Sequence, residues 1–390
     1  MTGMVTALLS LSVLLGSGGF ASSAGVEGED PPPPRDLPAF WTGRLADVER
    51  EIESVRKGSV ETLAVSPGGR PVYAVAYGEA DALRSQANYG SAVGAGNPAY
   101  YARKNATTRP VILLLGPVHG QEVEGIVGLV NLIHVAETGQ DHRGRVWPRL
   151  AQLLARARVV IVPCGNPDGR ARCPYDSFVG LPTRTMTKYG QGTRQDGSLW
   201  GWPGAKSLHP MKGDIGILGA YFNDDGVNLM HDDFFLPMAK ETEAVLRLAR
   251  REAPDMAVSL HSHEHAPVVL QASYVPAFMK ERIQALSAKL KARHDQEGLP
   301  YGSVVEPQID DARPGPRSSF NLTSALHHVS GAMAFTFECS HGSLSERSPK
   351  ALVSHAQILD IQLILYEEML GFALDNRLLW ILPEAKEGSD

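Results

Sequence analysis

The 390-residue chain is poor in cysteine, and this scarcity excludes two kinds of architecture. Only Cys164, Cys173 and Cys339 occur, and no two of them are spaced as CxxC. Neither a disulfide framework nor a zinc knuckle made of thiolates can be built from them. Cys164 and Cys173 could pair in an oxidising compartment, and buried free thiols are the alternative. The fold must therefore rely on its hydrophobic core, for which a hydrophobic content of 43% is sufficient.

An excess of positive charge is also missing. The formal net charge is −6, from 37 Lys and Arg against 43 Asp and Glu, and no basic run occurs. The chain thus lacks the basic field that would favour nucleic acid. No apolar run of about 18 residues follows the N-terminal segment. We therefore expect a globular protein with no nucleic-acid partner and no stable membrane insertion after removal of a leader.

The N-terminal segment lacks Lys and Arg but otherwise resembles an export signal. Residues 4–20 are apolar or small, and residues 21–24 supply the small side chains of a signal peptidase site. These features predict a signal peptide over 1–24 and a secreted or periplasmic protein, with a retained anchor or a misassigned start as alternatives. The proline-rich residues 25–39 predict a linker, 40–380 the folded catalytic domain and 381–390 a polar tail.

Hydrophobic runs and helical periodicities alternate along the folded part of the chain. This order is typical of an α/β fold whose sheet is mostly parallel and covered by helices on both faces. The predicted strands are 61–65, 71–77, 111–115, 156–162, 256–260 and 332–337, and the predicted helices are 41–56, 122–136, 239–251, 279–294 and 350–373. The stretch 170–221 has no sustained periodicity and is predicted to be a long loop that shapes a binding site.

Two of the predicted strands are followed by side chains that bind metals. His119 and Glu122 come three positions apart after the run at 111–115, and His261 comes directly after the run at 256–260. Because parallel strands place their carboxyl ends at the same edge of a sheet, we expect these three side chains to converge. Two imidazoles and one carboxylate, with a fourth position left to water, form the ligand set of a hydrolytic zinc site.

The third ligand and a proton acceptor depend on where the strands end. His263 points to the same side as His261 and remains an alternative ligand, whereas His265 lies too far into the loop. The hydrophobic run at 332–337 ends in Glu338. A carboxylate in that position is costly unless it has a partner or a task, so Glu338 is the candidate general base. A solvated carboxylate at the end of a strand is the alternative interpretation.

Six short motifs, taken in order, resemble the landmarks of the zinc carboxypeptidase (metallocarboxypeptidase) family. They are HGQE at 119–122, NPDG at 166–169, GVNLMHDDF at 226–234, ETEAV at 241–245, LHS at 260–262 and FTFE at 335–338. The resemblance implies one Zn²⁺ per chain on His119, Glu122 and His261, with Glu338 as the general base that activates the zinc-bound water. It implies a peptide or peptide-like substrate whose amide bond is cleaved. It also implies one domain with a twisted mixed, largely parallel sheet of about eight strands between helices.

The chain departs from this family where a substrate carboxylate would bind. Members that remove C-terminal residues usually carry Asn-Arg after the GVDL-like element, but Met230 and His231 occupy the matching positions here. An arginine holds a carboxylate through two hydrogen bonds, and a histidine offers only one donor per nitrogen. We therefore expect this enzyme not to be a conventional carboxypeptidase. Asn228, His231 and Arg170 are its candidate substrate contacts.

The resemblance also implies an arginine, placed after NPDG, that stabilises the tetrahedral oxyanion. Arg170, Arg172, Arg184 and Arg194 compete for this role, and distance from the NPDG turn favours Arg184. Loss of the Asn-Arg pair keeps open a zinc deacylase or esterase of a small N-acyl compound, similar to the aspartoacylase and succinylglutamate desuccinylase branch. A catalytically silent binding module is the second alternative. The NPDG and FTFE motifs favour the peptidase branch, and the retention of Glu338 argues against a silent module.

Overall fold

The computed structural model describes residues 30–376, except for residues 84, 106, 310–316 and 347. The predicted signal peptide and the predicted polar tail lie outside the described residues. Among the helices of the described part, none is both long enough and apolar enough to cross a membrane.

Residues 30–39 of the predicted linker lie against the surface of the folded domain. The carboxylate of Asp30 accepts hydrogen bonds from Lys188 Nζ at 2.6 Å and from the Tyr189 hydroxyl at 3.0 Å. The carbonyl of Pro31 accepts one from the Tyr175 hydroxyl at 2.6 Å. Prolines prevent this segment from forming a helix or a central strand, but they leave its carbonyls free to accept such bonds.

A seven-stranded mixed sheet forms the centre of the described structure, in the order β1-β2-β4-β3-β5-β7-β6. The pairs β3–β4, β3–β5 and β5–β7 are parallel, and the outer pairs are antiparallel. The sheet confirms the predicted α/β class, with seven strands where about eight were expected. Its strands are β1 (Ser59–Val65), β2 (Pro71–Tyr77), β3 (Val111–Leu115), β4 (Arg158–Val162), β5 (Met256–His263), β6 (Val268–Gln271) and β7 (Met333–Ser340).

Helices cover the sheet on both faces. Helices α1, α3, α4, α8 and α10 pack against one face, and α7 and α9 pack against the other. The helices of the described residues are α1 (Leu45–Ser54), α2 (Tyr89–Gly94), α3 (Val123–Thr138), α4 (Pro148–Leu154), α5 (Pro167–Arg172), α6 (Thr183–Gly190), α7 (Lys240–Glu252), α8 (Ala277–Glu297), α9 (Leu322–Ser330) and α10 (His355–Asp375). Short 3₁₀ helices lie at Pro98–Tyr100, Gly204–Lys206 and Leu229–His231.

The central strand β3 explains why its sequence is continuously apolar. Ile112 and Leu114 pack into the core beneath α3 and α10, whereas Leu113 and Leu115 pack into the core beneath α7 and α9. A strand buried on both faces has no position for a polar side chain. Because β3, β4, β5 and β7 are parallel, their carboxyl ends lie at the same edge of the sheet.

The three cysteines are all buried and free. Cys164 and Cys173 do not form the disulfide that their sequence separation permits. Burial raises the pKa of the Cys164 thiol to about 12, so this side chain is an unreactive part of the core.

Candidate metal centre

The loop that carries His119 and Glu122 connects β3 to α3. Helix α3 begins at Val123, one residue after the predicted start, so the pair lies in the turn before the helix and Glu122 is the N-cap. The Glu122 amide donates to the His119 carbonyl at 3.1 Å and closes this turn. Because the turn is closed by its backbone, both side chains are directed to the same side.

The NPDG segment supports the same turn from beneath. Asn166 Nδ2 donates to the Val118 carbonyl at 3.1 Å, and Arg170 Nη1 donates to the Gly120 carbonyl at 3.3 Å. The two segments approach so closely that a Cβ at Gly120 would lie 2.1 Å from the Arg170 amide nitrogen. Glycine is therefore required between the two candidate ligands.

His119, Glu122 and His261 converge at the carboxyl edge of the sheet, and we call them the central triad. The Nδ1 atoms of His119 and His261 lie 2.9 Å from the two carboxylate oxygens of Glu122 and 3.2 Å from each other. Ligand atoms about 2.0–2.2 Å from a tetrahedral zinc ion lie roughly 3.3 Å apart, so these separations fit such an ion. All three residues are buried.

His261 lies inside β5 rather than after it, because β5 continues to pair with β7 as far as His263. Its Nε2 lies 3.1 Å from the Ser259 hydroxyl, and when Nε2 donates this hydrogen bond, Nδ1 keeps the lone pair that a metal needs. His263 instead places its Nε2 3.0 Å from the Ala266 carbonyl, outside the triad. The geometry thus favours His261 over His263 as the third ligand.

The electrostatics of the central triad suit a cation. Burial disfavours the charged form of Glu122, but His119 and His261 lower the pKa of this carboxyl to about 2. Burial lowers the pKa of His119. Burial also works against protonation of His261, yet Glu122 and Glu338 raise the pKa of this imidazole. A permanent carboxylate faced by two imidazole nitrogens is a donor set that Zn²⁺ prefers.

Glu338 lies on β7 directly opposite His261 in the parallel register. Burial raises the pKa of its carboxyl to about 7; His261 and Lys206 lower it, and Glu122 raises it. A carboxylate with a pKa near neutrality can both accept and return a proton at neutral pH. The structure therefore brings the predicted base next to the predicted ligands.

Tyr221 contacts the triad and Lys206 acts on it electrostatically, and no local sequence signal marks either residue. The Tyr221 ring stacks on the His119 imidazole with centroids 3.8 Å apart and an angle of 8° between the planes. Lys206 ends a 3₁₀ helix, and its charge acts on His119, His261 and Glu338. Burial lowers the pKa of the Lys206 ammonium, and Glu338 raises it. Both residues lie in the stretch 170–221, which was predicted to be a long loop but contains α6 (Thr183–Gly190) and the 3₁₀ helix Gly204–Lys206.

His231 and Asn228 lie on or next to the 3₁₀ helix Leu229–His231. Burial lowers the pKa of His231 to about 3, with smaller contributions from Lys206 and the triad histidines, so this imidazole is neutral at pH 7. Its Nδ1 lies 3.3 Å from the Ser319 hydroxyl. Asn228 uses its side-chain oxygen to accept from the Met230 amide at 3.1 Å, which caps the 3₁₀ helix.

The candidate arginines contact the protein itself. The guanidinium of Arg170 is buried and donates to the carbonyls of Gly120, Cys173 and Tyr175 and to Asp176. Arg184 is exposed on α6, where its charge lowers the pKa of Asp30. The other two arginines also contact the protein: Arg172 donates to the carbonyls of Leu218, Gly219 and Phe222 and pairs with Asp224, and Arg194 stacks over Trp200 at 4.1 Å.

Known structures resemble this chain in fold, and the model of one protein family matches it in sequence. The metallo-carboxypeptidase of Burkholderia cenocepacia is 14% identical with a TM-score of 0.52, covering 84% of this chain and 68% of that one. The carboxypeptidase A of Helicoverpa armigera is 12% identical with a TM-score of 0.50, covering 86% and 74%. At these identities the likeness shows the fold alone, and no curated protein matches the chain by sequence. The model of the zinc carboxypeptidase family matches residues 53–270, more than half of the chain, and the protein belongs to this family.

Proposed function

We propose that the protein is a zinc-dependent hydrolase that cleaves an amide bond of a peptide or peptide-like substrate. The observation that carries this proposal is the buried convergence of His119, Glu122 and His261, with Glu338 opposite His261 on the adjacent strand. The central triad would hold one zinc ion. Zinc supplies a Lewis acid that lowers the pKa of water and polarises a carbonyl.

The residues around the triad would transfer the proton and hold the ligands in position. Glu338 would accept the proton of the attacking water and deliver it to the leaving nitrogen, and its raised pKa of about 7 suits both transfers. Ser259 would hold His261 in the tautomer that leaves Nδ1 available. Tyr221 would fix the plane of the His119 ring by stacking on it. Arg170 would keep the ligand turn in place through Gly120.

Lys206 would stabilise the negative charge that develops on the substrate. Lys206 acts electrostatically on both triad imidazoles and on Glu338, whereas Arg184 lies beside Asp30. We therefore favour Lys206 over Arg184 as the group that stabilises the oxyanion. A neutral His231 would hold a terminal carboxylate weakly, with Asn228 bound to its own helix. The preference for a free C-terminus should accordingly be modest.

Three predictions made from the sequence remain part of this proposal. They are export by a signal peptide over 1–24, a secreted or periplasmic location and a peptide-like substrate. A deacylase of small N-acyl compounds is not favoured, because the matching family model is that of the zinc carboxypeptidases. A silent binding module does not explain why Glu338 lies next to three converging ligands.

The test compares matched substrates on chelator-treated protein before and after addition of zinc. The panel contains peptides with a free C-terminus, the same peptides amidated, peptidoglycan stem peptides and N-acyl amino acids. We expect zinc to restore cleavage of peptides and to leave the N-acyl compounds uncleaved, with a free terminus favoured by less than the roughly 10- to 150-fold that a charge-assisted pair provides. Cleavage of N-acyl amino acids alone would overturn the peptidase assignment, and a larger preference for the free terminus would restore an ordinary carboxypeptidase.

A further inference from the structure

A second set of two histidines and one glutamate lies away from the central triad. Glu51 is on α1, His134 is near the end of α3 and His142 is in the loop that follows α3; we call them the lateral cluster. His134 Nδ1 lies 3.2 Å from one carboxylate oxygen of Glu51, and His142 Nε2 lies 3.0 Å from the other. One donor atom from each of the three residues lies within 4.8 Å of the other two.

We propose that the lateral cluster binds a second divalent transition-metal ion, zinc when zinc is abundant. Its separations of 3.0 and 3.2 Å match those of the central triad and the roughly 3.3 Å between the ligands of a tetrahedral zinc ion. Imidazole and carboxylate are ligands that suit Zn²⁺. This site is independent of the catalytic proposal, because none of its residues belongs to the central triad.

The charges around Glu51 favour an ion over a simple hydrogen-bonded pair. Glu51 is buried, and among the contacts of the described residues no lysine or arginine pairs with it. The nearby Arg143 and Arg145 bind Asp141 and Asp360 instead. A buried carboxylate without a charged partner is costly.

One protonated imidazole would neutralise Glu51, but the two imidazoles cannot both be protonated. Their rings stack with centroids 4.0 Å apart and planes at 22°, so two protonated rings would repel each other. Two neutral imidazoles would give Glu51 hydrogen bonds but no compensating charge. A divalent cation bound by Nδ1 of His134 and Nε2 of His142 would compensate the carboxylate and leave both rings neutral.

The ligands are held in place by contacts outside the lateral cluster. Asn131 is fully buried on α3 and accepts a hydrogen bond from the His142 amide at 2.9 Å. Asp141 accepts from the indole of Trp147 at 2.9 Å and from the Arg143 amide at 2.8 Å, which fixes the rest of this loop. A site whose ligands are positioned in advance loses little conformational entropy on binding.

The second ion would connect three parts of the structure. It would join α1 and the loop after α3 to α3 itself, the helix whose N-cap is Glu122. With side-chain exposures of 30% for His134 and 22% for His142, a remaining coordination position faces water. We expect a structural ion that is exchanged more easily than the ion of the central triad.

Metal content measured on chelator-treated protein after dialysis against zinc tests this site. The wild type should hold two zinc ions per chain, the double variant His134→Gln/His142→Gln one, and His119→Ala also one. Exposed His328, which lies in neither set, gives the control His328→Gln, which should hold two. One ion in the wild type with none in His119→Ala would overturn the proposal, as would two ions retained in the double variant.

Thermal unfolding gives a readout that does not depend on activity. In His119→Ala, where only the lateral cluster remains, zinc at a hundredfold excess over Kd should raise Tm by about 3–6 °C. Adding His134→Gln and His142→Gln to this variant should abolish the rise. If the combined variant does not fold, Glu51→Gln in the His119→Ala background replaces it, because the amide keeps the volume and removes the charge. An unchanged rise in either variant would place the ion elsewhere.

Discussion

The central triad and the lateral cluster contain the same donors in different surroundings. The side chains of the central triad are 3–9% exposed and come from the carboxyl ends of two parallel strands. Those of the lateral cluster are 8–30% exposed and come from two helices and a loop. Glu338 and Lys206 act electrostatically on the central triad, and the lateral cluster lies beside arginines already bound to Asp141 and Asp360. We therefore propose that two histidines and a glutamate hold the metal at each site, and that the groups around them determine its chemistry.

Removal of one ligand from each set should produce the largest contrast. We expect His261→Ala to lose one metal equivalent and to reduce kcat/KM by more than the roughly 10²- to 10⁴-fold that loss of a general base costs, because the metal itself is lost. His134→Ala should also lose one equivalent but keep kcat/KM within about threefold, since it touches no reacting atom. Metal analysis and peptide hydrolysis on the same preparations measure both. Equal losses of activity in the two variants would contradict the distinction between a catalytic central triad and a structural lateral cluster.

Replacement of Asp168, in the NPDG segment, should lower the stability of the segments that lie beneath the central triad and leave the lateral cluster unaffected. Ser66, Gly68, Arg70 and Asp224 all donate to its buried carboxylate. Asp168→Asn should therefore lower the free energy of unfolding by about 2–4 kcal/mol at pH 7. Denaturant unfolding measures the loss, and exposed Asp225, changed to Asn, should stay within about 0.5 kcal/mol of the wild type.

The same variant makes a prediction about pH. Burial opposes ionisation of Asp168, but hydrogen bonds from Ser66, Arg70 and two backbone amides hold the pKa of its carboxyl below 3.8. Because the folded pKa is the lower one, this stabilisation is present above the unfolded pKa and is lost as the pH falls through the folded value. The difference between wild type and Asp168→Asn should be constant from pH 5 to 7 and shrink below pH 4. A difference that grows in acid would contradict this sign.

Ser259 should tune the affinity of the central triad without affecting the lateral cluster. Loss of its hydrogen bond to His261 Nε2 frees the other tautomer, so Ser259→Ala should weaken zinc binding there by about 10- to 100-fold. Ser259→Thr, which retains a hydroxyl, should stay near the wild type. Competition with a chelating dye measures both ions in one titration. If Ser259→Ala weakened only the binding of the ion at the lateral cluster, the two measured affinities would have been assigned to the wrong sites.

Lys206 should produce the smallest of these effects. Its side chain is exposed, so Lys206→Met should reduce kcat/KM by about 10-fold, and by the same factor for free and amidated C-termini because the oxyanion forms on both substrates. Lys212→Met removes an exposed lysine of the same loop and is the matched control. A loss of equal size in both variants would indicate a general effect of charge rather than contact with the substrate.

Much of the sheet follows from local sequence, because a strand buried on both faces must be a continuous apolar run. The prediction at 111–115 coincides with β3, and the one at 71–77 coincides with β2. The central triad was predicted for a related reason, since parallel strands bring their ends to one edge. Strand β5 is longer than predicted because the histidines at its end continue to pair with β7, and pairing across the sheet outweighs their low hydrophobicity.

Other elements depend on contacts that the local sequence does not encode. Strand β6 has only four residues and exists because it pairs with β7. Helix α9 is missing from the prediction, although Leu322, Leu326 and Val329 have helical spacing and Asn321 caps it. Lys206 acts electrostatically on the central triad from a stretch with no sustained periodicity. The lateral cluster joins Glu51 to two histidines more than 80 residues away, as the separations of 83 and 91 show. Such convergence follows from the packing of α1 on α3.

The most direct test of the account is the turnover of Glu338→Gln measured on protein of known zinc content. The amide has the shape of the carboxylate but cannot accept the proton of the attacking water. We predict the same two zinc ions per chain as in the wild type, unchanged thermal unfolding, and a kcat lower by about 10²- to 10⁴-fold. A kcat within a few-fold of the wild type, at full zinc content, would contradict the assignment of Glu338 as the base and with it the proposed mechanism.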